Sequence, residues 1–278
     1  MATHKKIILL DLNGTLIDNE YRLTVSDEQI KAAIKHIQDN NVLVGINSDT
    51  PLLLLQTWAQ HLGMRGPLIA EKGQVLALSP YEPPQPLGTM VDFFQRLREQ
   101  VVLRAHEEFP RAFVGLGDVT EFIHQSGRVY GEDRLAVLIN GYRQHSFSGY
   151  ALACRNNKLV KDTEIFDSFC NLVFSIVGES SEKLEEADKS PDYGFLMLHE
   201  RGASKTLAVE RLIEQLGNEL EYIMIGDGDS DVITPRYPVK LCAVGNASPV
   251  LKKRVKETGG LIAEASLTEG VVELLTRL

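Results

Sequence analysis

The stretch of sequence that decides the fold is KKIILLDLNGT, residues Lys5–Thr15. It contains the apolar run Ile7–Leu10, which is typical of a strand buried on both faces of a parallel sheet. Asp11 follows directly, at the carboxyl end of that strand, where open α/β sheets bind their ligands. Gly14 permits a tight turn there, and Thr15 adds a hydroxyl. The stretch suits a nucleophilic aspartate beside a metal ion, but taken alone it fits a strand and an Asn-Gly turn equally well.

Composition excludes several classes of protein. The 278 residues are 44% hydrophobic and 24% charged, which is ordinary for a soluble globular chain of one large domain or two. The net charge is −9 and no long basic stretch interrupts it, so we expect no nucleic-acid partner. Three scattered cysteines argue against a disulfide framework, and the first apolar run is too short for a signal or a membrane span. We therefore expect a cytoplasmic monomer or homodimer without a membrane partner.

Strands and helices alternate in the first part of the chain. Ser26 can cap a helix that continues to about Asn40, and a β-rich run, Val42–Ile46, follows it. Pro51 can open a second helix. Two short strands, Leu68–Ala70 and Val75–Ala77, flank a turn. This alternation predicts right-handed crossovers and a parallel sheet.

The middle of the sequence differs in composition and in its pattern of predicted helices and strands. A proline-rich stretch, Ser79–Pro86, indicates a linker. Beyond it we predict helices over about Met90–His106 and Glu164–Val177, a strand over Ala136–Ile139, and an exposed charged segment over Ser180–Ser190. These elements predict a separate α+β module.

The alternating pattern returns near the C-terminus. We predict a helix over Ala203–Leu216, strands over Tyr222–Ile225 and Leu241–Val244, and a last helix over Thr268–Leu278. The apolar residues expected to face inward from the first of these helices are Leu207, Leu212 and Ile213. The fold class that follows is α/β, with a doubly wound, mostly parallel Rossmann-like core sheet and an inserted α+β domain. We expect the core to comprise residues 1–82 and 201–278, and the inserted domain residues 83–200.

Three further signals support a site at Asp11. Gly226–Asp231, sequence GDGDSD, follows a predicted strand and crowds three carboxylates, which repel one another unless a cation offsets them. Ser48 stands at the end of another strand, where its hydroxyl could bond a phosphoryl oxygen. Lys205 begins a helix, an unfavourable place for a cation unless it and the backbone amides face an anion. An exposed acidic turn, a turn serine and a solvated lysine are the alternatives.

In this order, the four pieces resemble the motifs of the haloacid dehalogenase superfamily, within its phosphatase branch. Asp11 is similar to the nucleophile of the first motif, Ser48 to the second, Lys205 to the third and Gly226–Asp231 to the acidic fourth. Two fainter similarities extend the match. Ala70–Gly73 resembles the family's Glu-Asn-Gly turn, and Gly245–Ala247 resembles its Gly-Asn-Ala segment. The inserted module falls between the second and third motifs, where the type 2 cap sits, and would act as a lid.

The resemblance implies a phosphatase of small phosphorylated metabolites, such as sugar phosphates. Asp11 would attack phosphorus and form an aspartyl-phosphate, and Ser48 and Lys205 would hold the phosphoryl group. The expected Mg²⁺ ligands are Asp11, the carbonyl of Asn13, Asp227 and Asp231. The expected catalytic residues are Asp11, Asn13, Ser48 and Lys205. The residues expected to contact the phosphorylated ligand are Gly14, Thr15, Ser48, Asp49 and Lys205.

Three positions depart from the family pattern. The phosphatases carry a second Asp where this chain has Asn13, and that Asp protonates the leaving alkoxide and later deprotonates the attacking water. A carboxamide can do neither, and losing a general acid–base costs roughly 10²- to 10⁴-fold in rate. Ser230 replaces the usual Asn of the acidic loop. Asp49 replaces a common Gly and adds a negative charge near the phosphate site.

Asn13 therefore leaves three hypotheses open. The first hypothesis is that the protein is a slow or specialised phosphatase, which would show a burst followed by slow release. Alternatively, it binds a phosphorylated ligand without hydrolysing it, as a sensor or regulatory subunit. The third hypothesis is an engineered Asp-to-Asn change that traps substrate in an otherwise competent enzyme.

Overall fold

The computed structural model describes residues 5–110, 112–117, 135–155, 158–191 and 194–278. The chain divides into two units, of which the first joins Met1–Leu87 with Ser204–Leu278 and the second is Gly88–Ala203. The sequence placed the same junctions at 82/83 and 200/201. No described helix has both the length and the apolar character needed to cross a bilayer.

One seven-stranded sheet runs through the first unit. Its strands, numbered along the whole chain, are β1 (Lys6–Leu10), β2 (Val42–Asn47), β3 (Leu68–Ala70), β4 (Val75–Ala77), β5 (Gln85–Pro86), β12 (Glu221–Gly226) and β13 (Lys240–Ala243). They lie in the order β13-β12-β1-β2-β3-β4-β5. The first five in that order are parallel, and β4 and β5 extend the sheet antiparallel. The predicted linker therefore ends in a short edge strand.

Helices cover both faces of this sheet. They are α1 (Asp27–Asp39), α2 (Leu52–Leu62), α5 (Lys205–Leu216), α6 (Pro249–Glu257) and α7 (Leu267–Arg277). Ile8 and Leu10 of β1 pack in one core with α1, α2 and α7, while Ile7 and Leu9 pack in the other with α5 and α6. All four are at most 2% exposed, as expected of a strand buried on both sides. The predicted doubly wound α/β core is thus confirmed.

The second unit is an α+β layer. The helices described in this unit are α3 (Val91–Glu108) and α4 (Thr163–Val177), and the strands described are β6 (Ala112–Gly117), β7 (Leu135–Asn140), β8 (Ser146–Arg155), β9 (Lys158–Val160), β10 (Leu184–Ser190) and β11 (Phe195–Glu200). The strand order is β10-β11-β8-β7-β6, with β9 paired to β8. Among the described strands of this sheet, only β6 and β7 pair in parallel. The two helices share one core with the sheet, built on Phe94, Phe147, Phe166 and Phe169.

One local prediction was wrong and another was incomplete. The segment Ser180–Ser190, expected to be charged and exposed, is largely exposed, and it also contains β10, which pairs antiparallel with β11. Its charges are those of an edge strand, where charged side chains oppose further pairing. Leu207, expected to face the core, is 53% exposed, because α5 buries the stripe Ala208, Val209, Leu212 and Ile213 instead.

Candidate active site

The carboxyl ends of three adjacent strands meet at one edge of the core sheet. Because β1 pairs in parallel with both β12 and β2, the residues that follow these strands emerge together. The amide of Asp11 still donates to the carbonyl of Ile225 on β12 at 2.8 Å. The amide of Ser48, just past β2, donates to the carbonyl of Ile69 at 2.9 Å. Backbone pairing therefore fixes Asp11 and Ser48 on this edge.

Three carboxylates converge there. Carboxylate oxygens of Asp11, Asp227 and Asp231 all lie within 4.8 Å of one another. Asp11 is 6% exposed and Asp231 is 1% exposed, and Asp227 is half-buried. Residues that are more than 200 positions apart in the sequence thus share one acidic cluster, as the motif order predicted.

Lys205 is the cation within this cluster. Its Nζ donates to Oδ1 of Asp11 at 2.7 Å and to Oδ1 of Asp231 at 2.7 Å. The side chain is buried, so the ammonium is not a solvated surface group. Ser204 caps the helix by accepting from the amide of Leu207, which places Lys205 at the first helical position.

The turn Glu71–Gly73 supports the start of α5. Gly73 has φ +89°, and a Cβ built on it would lie 2.4 Å from the carbonyl oxygen of Ser204. Only glycine permits that close approach at that backbone conformation. The fainter motif similarity at Ala70–Gly73 therefore marks a contact with the residue that precedes Lys205.

Burial and crowding set the proton affinities of the cluster. Burial, together with the charges of Asp231 and Asp227, raises the pKa of Asp11 to about 8, although Lys205 opposes the rise. Burial disfavours the charged form of Lys205, but the carboxylates of Asp11, Asp231 and Asp49 outweigh it and raise the pKa of the ammonium. When all are ionised, three carboxylates face one ammonium and two negative charges remain. The cluster therefore favours a further cation.

Asp227 is held by the loop that follows Asp11. The hydroxyl of Thr15, which is fully buried, donates to Oδ1 of Asp227 at 2.9 Å. Gly14 has φ +83°, and a Cβ on it would lie 2.4 Å from Oδ2 of the same carboxylate. Burial raises the pKa of Asp227, and the Thr15 hydrogen bond opposes that rise. The hydroxyl expected to contact the ligand thus orients a carboxylate of the cluster.

We predict that Thr15→Val weakens Mg²⁺ binding about tenfold, because outer partners of metal ligands carry effects of this size. Loss of one buried hydrogen bond should also lower the free energy of unfolding by about 1 kcal/mol. Calorimetric titration with Mg²⁺ and urea unfolding measure the two effects. The matched control is Thr57→Val, since the Thr57 hydroxyl bonds only the carbonyl of Leu53 in its own helix, at 2.9 Å. Equal Mg²⁺ affinity in the Thr15 variant and the wild type would contradict the role of the hydroxyl.

The two oxygens of Asp231 have different partners. Oδ2 accepts from the backbone amides of Asp227 and Gly228, both at 3.0 Å. Oδ1 accepts from Lys205. A Cβ at Gly226 would lie 2.3 Å from Oδ2 of Asp231, so that glycine makes room for the carboxylate. Asp231 therefore joins the acidic loop to the start of α5.

The other predicted residues lie around this cluster. Ser48 is buried, and its hydroxyl donates to Oγ1 of Thr50 at 3.3 Å. Asp49 is partly buried, and its charge reaches Lys205. The side chain of Asn13 is exposed, on a turn in which the amide of Gly14 donates to the carbonyl of Ile17 at 2.8 Å. Their roles in catalysis and binding remain predictions.

Asn246 also contributes to the site, and its sequence context indicated this only weakly. Its Nδ2 donates to the carbonyl of Gly14 at 2.8 Å, and its Oδ1 accepts from the amide of Leu267 at 2.9 Å. The faint similarity at Gly245–Ala247 was the available signal, but nothing in it indicates the partner. Asn246 ties the loop that carries Asn13 to the start of α7.

The donor set suits a hard divalent cation. Carboxylate and carbonyl oxygens are the ligands that Mg²⁺ prefers, and it needs few protein ligands because it retains waters. Asp11, Asp227 and Asp231 supply carboxylates, and the excess negative charge supplies the attraction. The residues present therefore fit Mg²⁺.

The fold and the cluster define a class of protein: an α/β protein with an acidic site and a buried lysine at the carboxyl edge of its sheet. The model of the haloacid dehalogenase-like hydrolases matches residues 8–85, which include the Asp11 loop and Ser48. A phosphoglycolate phosphatase of Staphylothermus marinus is 24% identical over 275 residues, covering 98% of this chain and 97% of the relative.

Solved structures agree on the fold. A haloacid dehalogenase-like hydrolase from Bacteroides thetaiotaomicron matches with a TM-score of 0.66 at 18% identity, covering 98% of this chain and 99% of the other. A protein from Thermoplasma acidophilum matches with a TM-score of 0.62 at 17% identity, covering 99% and 98%. Residues 8–85 are thus similar to the haloacid dehalogenase-like hydrolases, and the whole chain shares its fold with these solved structures.

Proposed function

We propose that the protein is a Mg²⁺-dependent phosphohydrolase that acts on a small phosphorylated metabolite through an aspartyl-phosphate on Asp11. The observation that carries this proposal is the contact of Lys205 with both Asp11 and Asp231 at 2.7 Å inside the acidic cluster. A buried lysine that is shared by two carboxylates is suited to hold a third anion, the phosphoryl group, beside the nucleophile. Most of the rate enhancement would be positioning and charge stabilisation.

In the first step, the Asp11 carboxylate attacks phosphorus, a new oxygen–phosphorus bond forms, and the bond to the leaving alkoxide breaks. Lys205 orients the Asp11 carboxylate and offsets the charge that gathers around it. Ser48 donates its hydroxyl to a phosphoryl oxygen. Mg²⁺, when held by Asp11, Asp227, Asp231 and the carbonyl of Asn13, supplies further positive charge to the phosphoryl oxygens. Water then cleaves the acyl-phosphate and returns Asp11 and inorganic phosphate.

Asn13 attenuates this reaction. The leaving alkoxide must gain a proton and the attacking water must lose one, and a carboxamide supports neither transfer at neutral pH. Leaving groups of low pKa need less protonation, so they should release fastest in the first step. Attack by water then limits turnover.

The substrate class is a small phosphorylated metabolite. The relative's printed name makes 2-phosphoglycolate a first compound to test, and sugar phosphates belong in the same screen. The excess of acidic residues favours a small metabolite over a nucleic acid as the ligand.

A second candidate function is binding of a phosphorylated ligand without hydrolysis. The exposed carboxamide of Asn13, at the position of the missing acid, is the observation that favours it. Such a protein would act as a sensor or regulatory subunit.

A screen of phosphate esters at stoichiometric protein concentration distinguishes the two functions. It should include 2-phosphoglycolate, hexose phosphates and 4-nitrophenyl phosphate, each with Mg²⁺ and with excess chelator. We expect a Mg²⁺-dependent burst of alcohol release followed by slow turnover. Ester binding with no release of alcohol would support the second function, and neither binding nor release would contradict both.

A further inference from the structure

The loop that follows Asp231 lies along one stripe of α5. The stripe is formed by Thr206, Glu210 and Glu214, which are spaced four residues apart and so share one face of the helix. Lys205, the cation of the acidic cluster, precedes the first of them. The helix that supplies the lysine therefore also contacts the loop beyond its acidic partner.

All three residues of the stripe accept hydrogen bonds from the loop. Thr206 Oγ1 accepts from the amide of Thr234 at 3.3 Å. Glu210 accepts from the amide of Arg236 through Oε1 at 2.6 Å and from its Nε through Oε2 at 3.1 Å. Glu214 Oε1 accepts from Nη2 of Arg236 at 2.8 Å. We call residues 232–236 the bracing loop.

Glu210 is the central contact of the three. Its side chain is only 8% exposed, whereas that of Arg236 is 67% exposed and that of Glu214 is 31% exposed. A buried carboxylate that accepts a backbone amide fixes the chain more firmly than an exposed pair, which contributes little. Glu210 lies outside every motif that the sequence singled out, and the proposed mechanism does not use it.

The bracing loop is connected directly to the acidic cluster. The amide of Ile233 donates to the carbonyl of Asp231 at 2.9 Å, and Ile233 is buried in the core that includes α5. Asp231 in turn contacts Lys205. A shift of the bracing loop along α5 would therefore move Asp231 relative to Lys205.

We propose that Glu210 is a positioning residue that anchors the bracing loop to α5 and so sets the position of Asp231 beside Lys205 and the divalent cation. This inference rests on the proposed function, because it concerns the same Mg²⁺ site. Glu210 touches neither the cation nor the substrate. Its effect should appear as weaker cation binding and a more mobile loop.

The test is calorimetric titration with Mg²⁺ of the wild type, Glu210→Ala, Glu210→Gln and the control Glu257→Gln, with hydrogen exchange followed over residues 232–236. Glu257 forms an exposed pair with Arg254 on α6 and serves as a matched loss of one carboxylate. We expect Glu210→Ala to weaken Mg²⁺ binding by roughly tenfold or more, as outer partners of metal sites do. The amides of the bracing loop should exchange faster, and the control should match the wild type in both measurements.

Each outcome separates the inference from the proposed function. Wild-type protein that fails to bind Mg²⁺ would contradict the proposed function, whereas unchanged Mg²⁺ affinity and unchanged exchange in a folded Glu210→Ala variant would overturn the inference. If Glu210→Ala does not fold, Glu210→Gln decides the matter, because it retains an acceptor for the amide of Arg236 but loses the charge. We expect a severalfold weakening there, and wild-type affinity would overturn the inference.

Discussion

Asn13→Asp should raise the steady-state rate of phosphate-ester hydrolysis by roughly 10²- to 10⁴-fold, the usual contribution of a general acid–base. The turn that holds position 13 is already built by the bond from the Gly14 amide to the Ile17 carbonyl and by the Asn246 contact to Gly14. Because the Asn13 side chain is exposed, an aspartate of nearly the same size can replace it without repacking. Steady-state phosphate release with Mg²⁺ measures the gain.

The gain should depend on the leaving group. An aspartate that protonates the leaving alkoxide helps alkyl esters more than 4-nitrophenyl phosphate, whose leaving group needs little protonation. The wild type should therefore lose its preference for the aryl ester when Asn13 becomes Asp. No gain with any ester would show that position 13 is not the missing acid, and mass spectrometry should verify that wild-type samples carry Asn13 and not its deamidation product.

Asp11→Asn should abolish the activity, and the effect is measured best in the Asn13→Asp background, where the rate is high. Loss of a nucleophile costs roughly 10⁴-fold or more. The isosteric amide keeps the packing at the end of β1, where Asp11 is 6% exposed. Single-turnover alcohol release should fall to the rate without enzyme.

We expect the Asp11→Asn variant to lose activity without losing folding stability. Burial raises the pKa of Asp11 to about 8, so the ionised carboxylate is costly at that site without a bound cation. Lys205 retains its contact with Asp231 when Asp11 is neutralised. We expect urea unfolding in metal-free buffer to give Asp11→Asn a free energy equal to or above that of the wild type. Residual catalysis by a folded Asp11→Asn variant would assign the nucleophile to another group.

Much of the fold could be predicted because its elements are local patterns. The run Ile7–Leu10 is apolar at every position, which is typical of a strand buried on both faces. Its parallel neighbours followed from the alternation of strands and helices, and parallel pairing placed Asp11 beside the acidic loop. The proximity of Lys205 followed from motif order, and not from any local rule.

The remaining features depend on contacts that no local pattern shows. Leu207 has the composition of a core residue, but the buried stripe of α5 runs through other positions. The strand β10 is rich in charge and becomes a strand only because β11 pairs with it. The bond between Thr15 and Asp227 joins residues 212 positions apart, and that between Glu210 and Arg236 depends on how the acidic loop leaves the sheet.

The most direct test of the central claim, that Asp11 is the nucleophile of a phosphoryl-transfer site, is to quench the reaction and locate the phosphoryl group. Wild-type protein mixed with 4-nitrophenyl phosphate and Mg²⁺, stopped in acid during the burst and digested, should yield a phosphorylated peptide that contains Asp11. Asn13 favours this result, because it slows the hydrolysis of the acyl-phosphate. A burst of alcohol release with no phosphoryl group on that peptide, or with the group on another residue, would contradict the account.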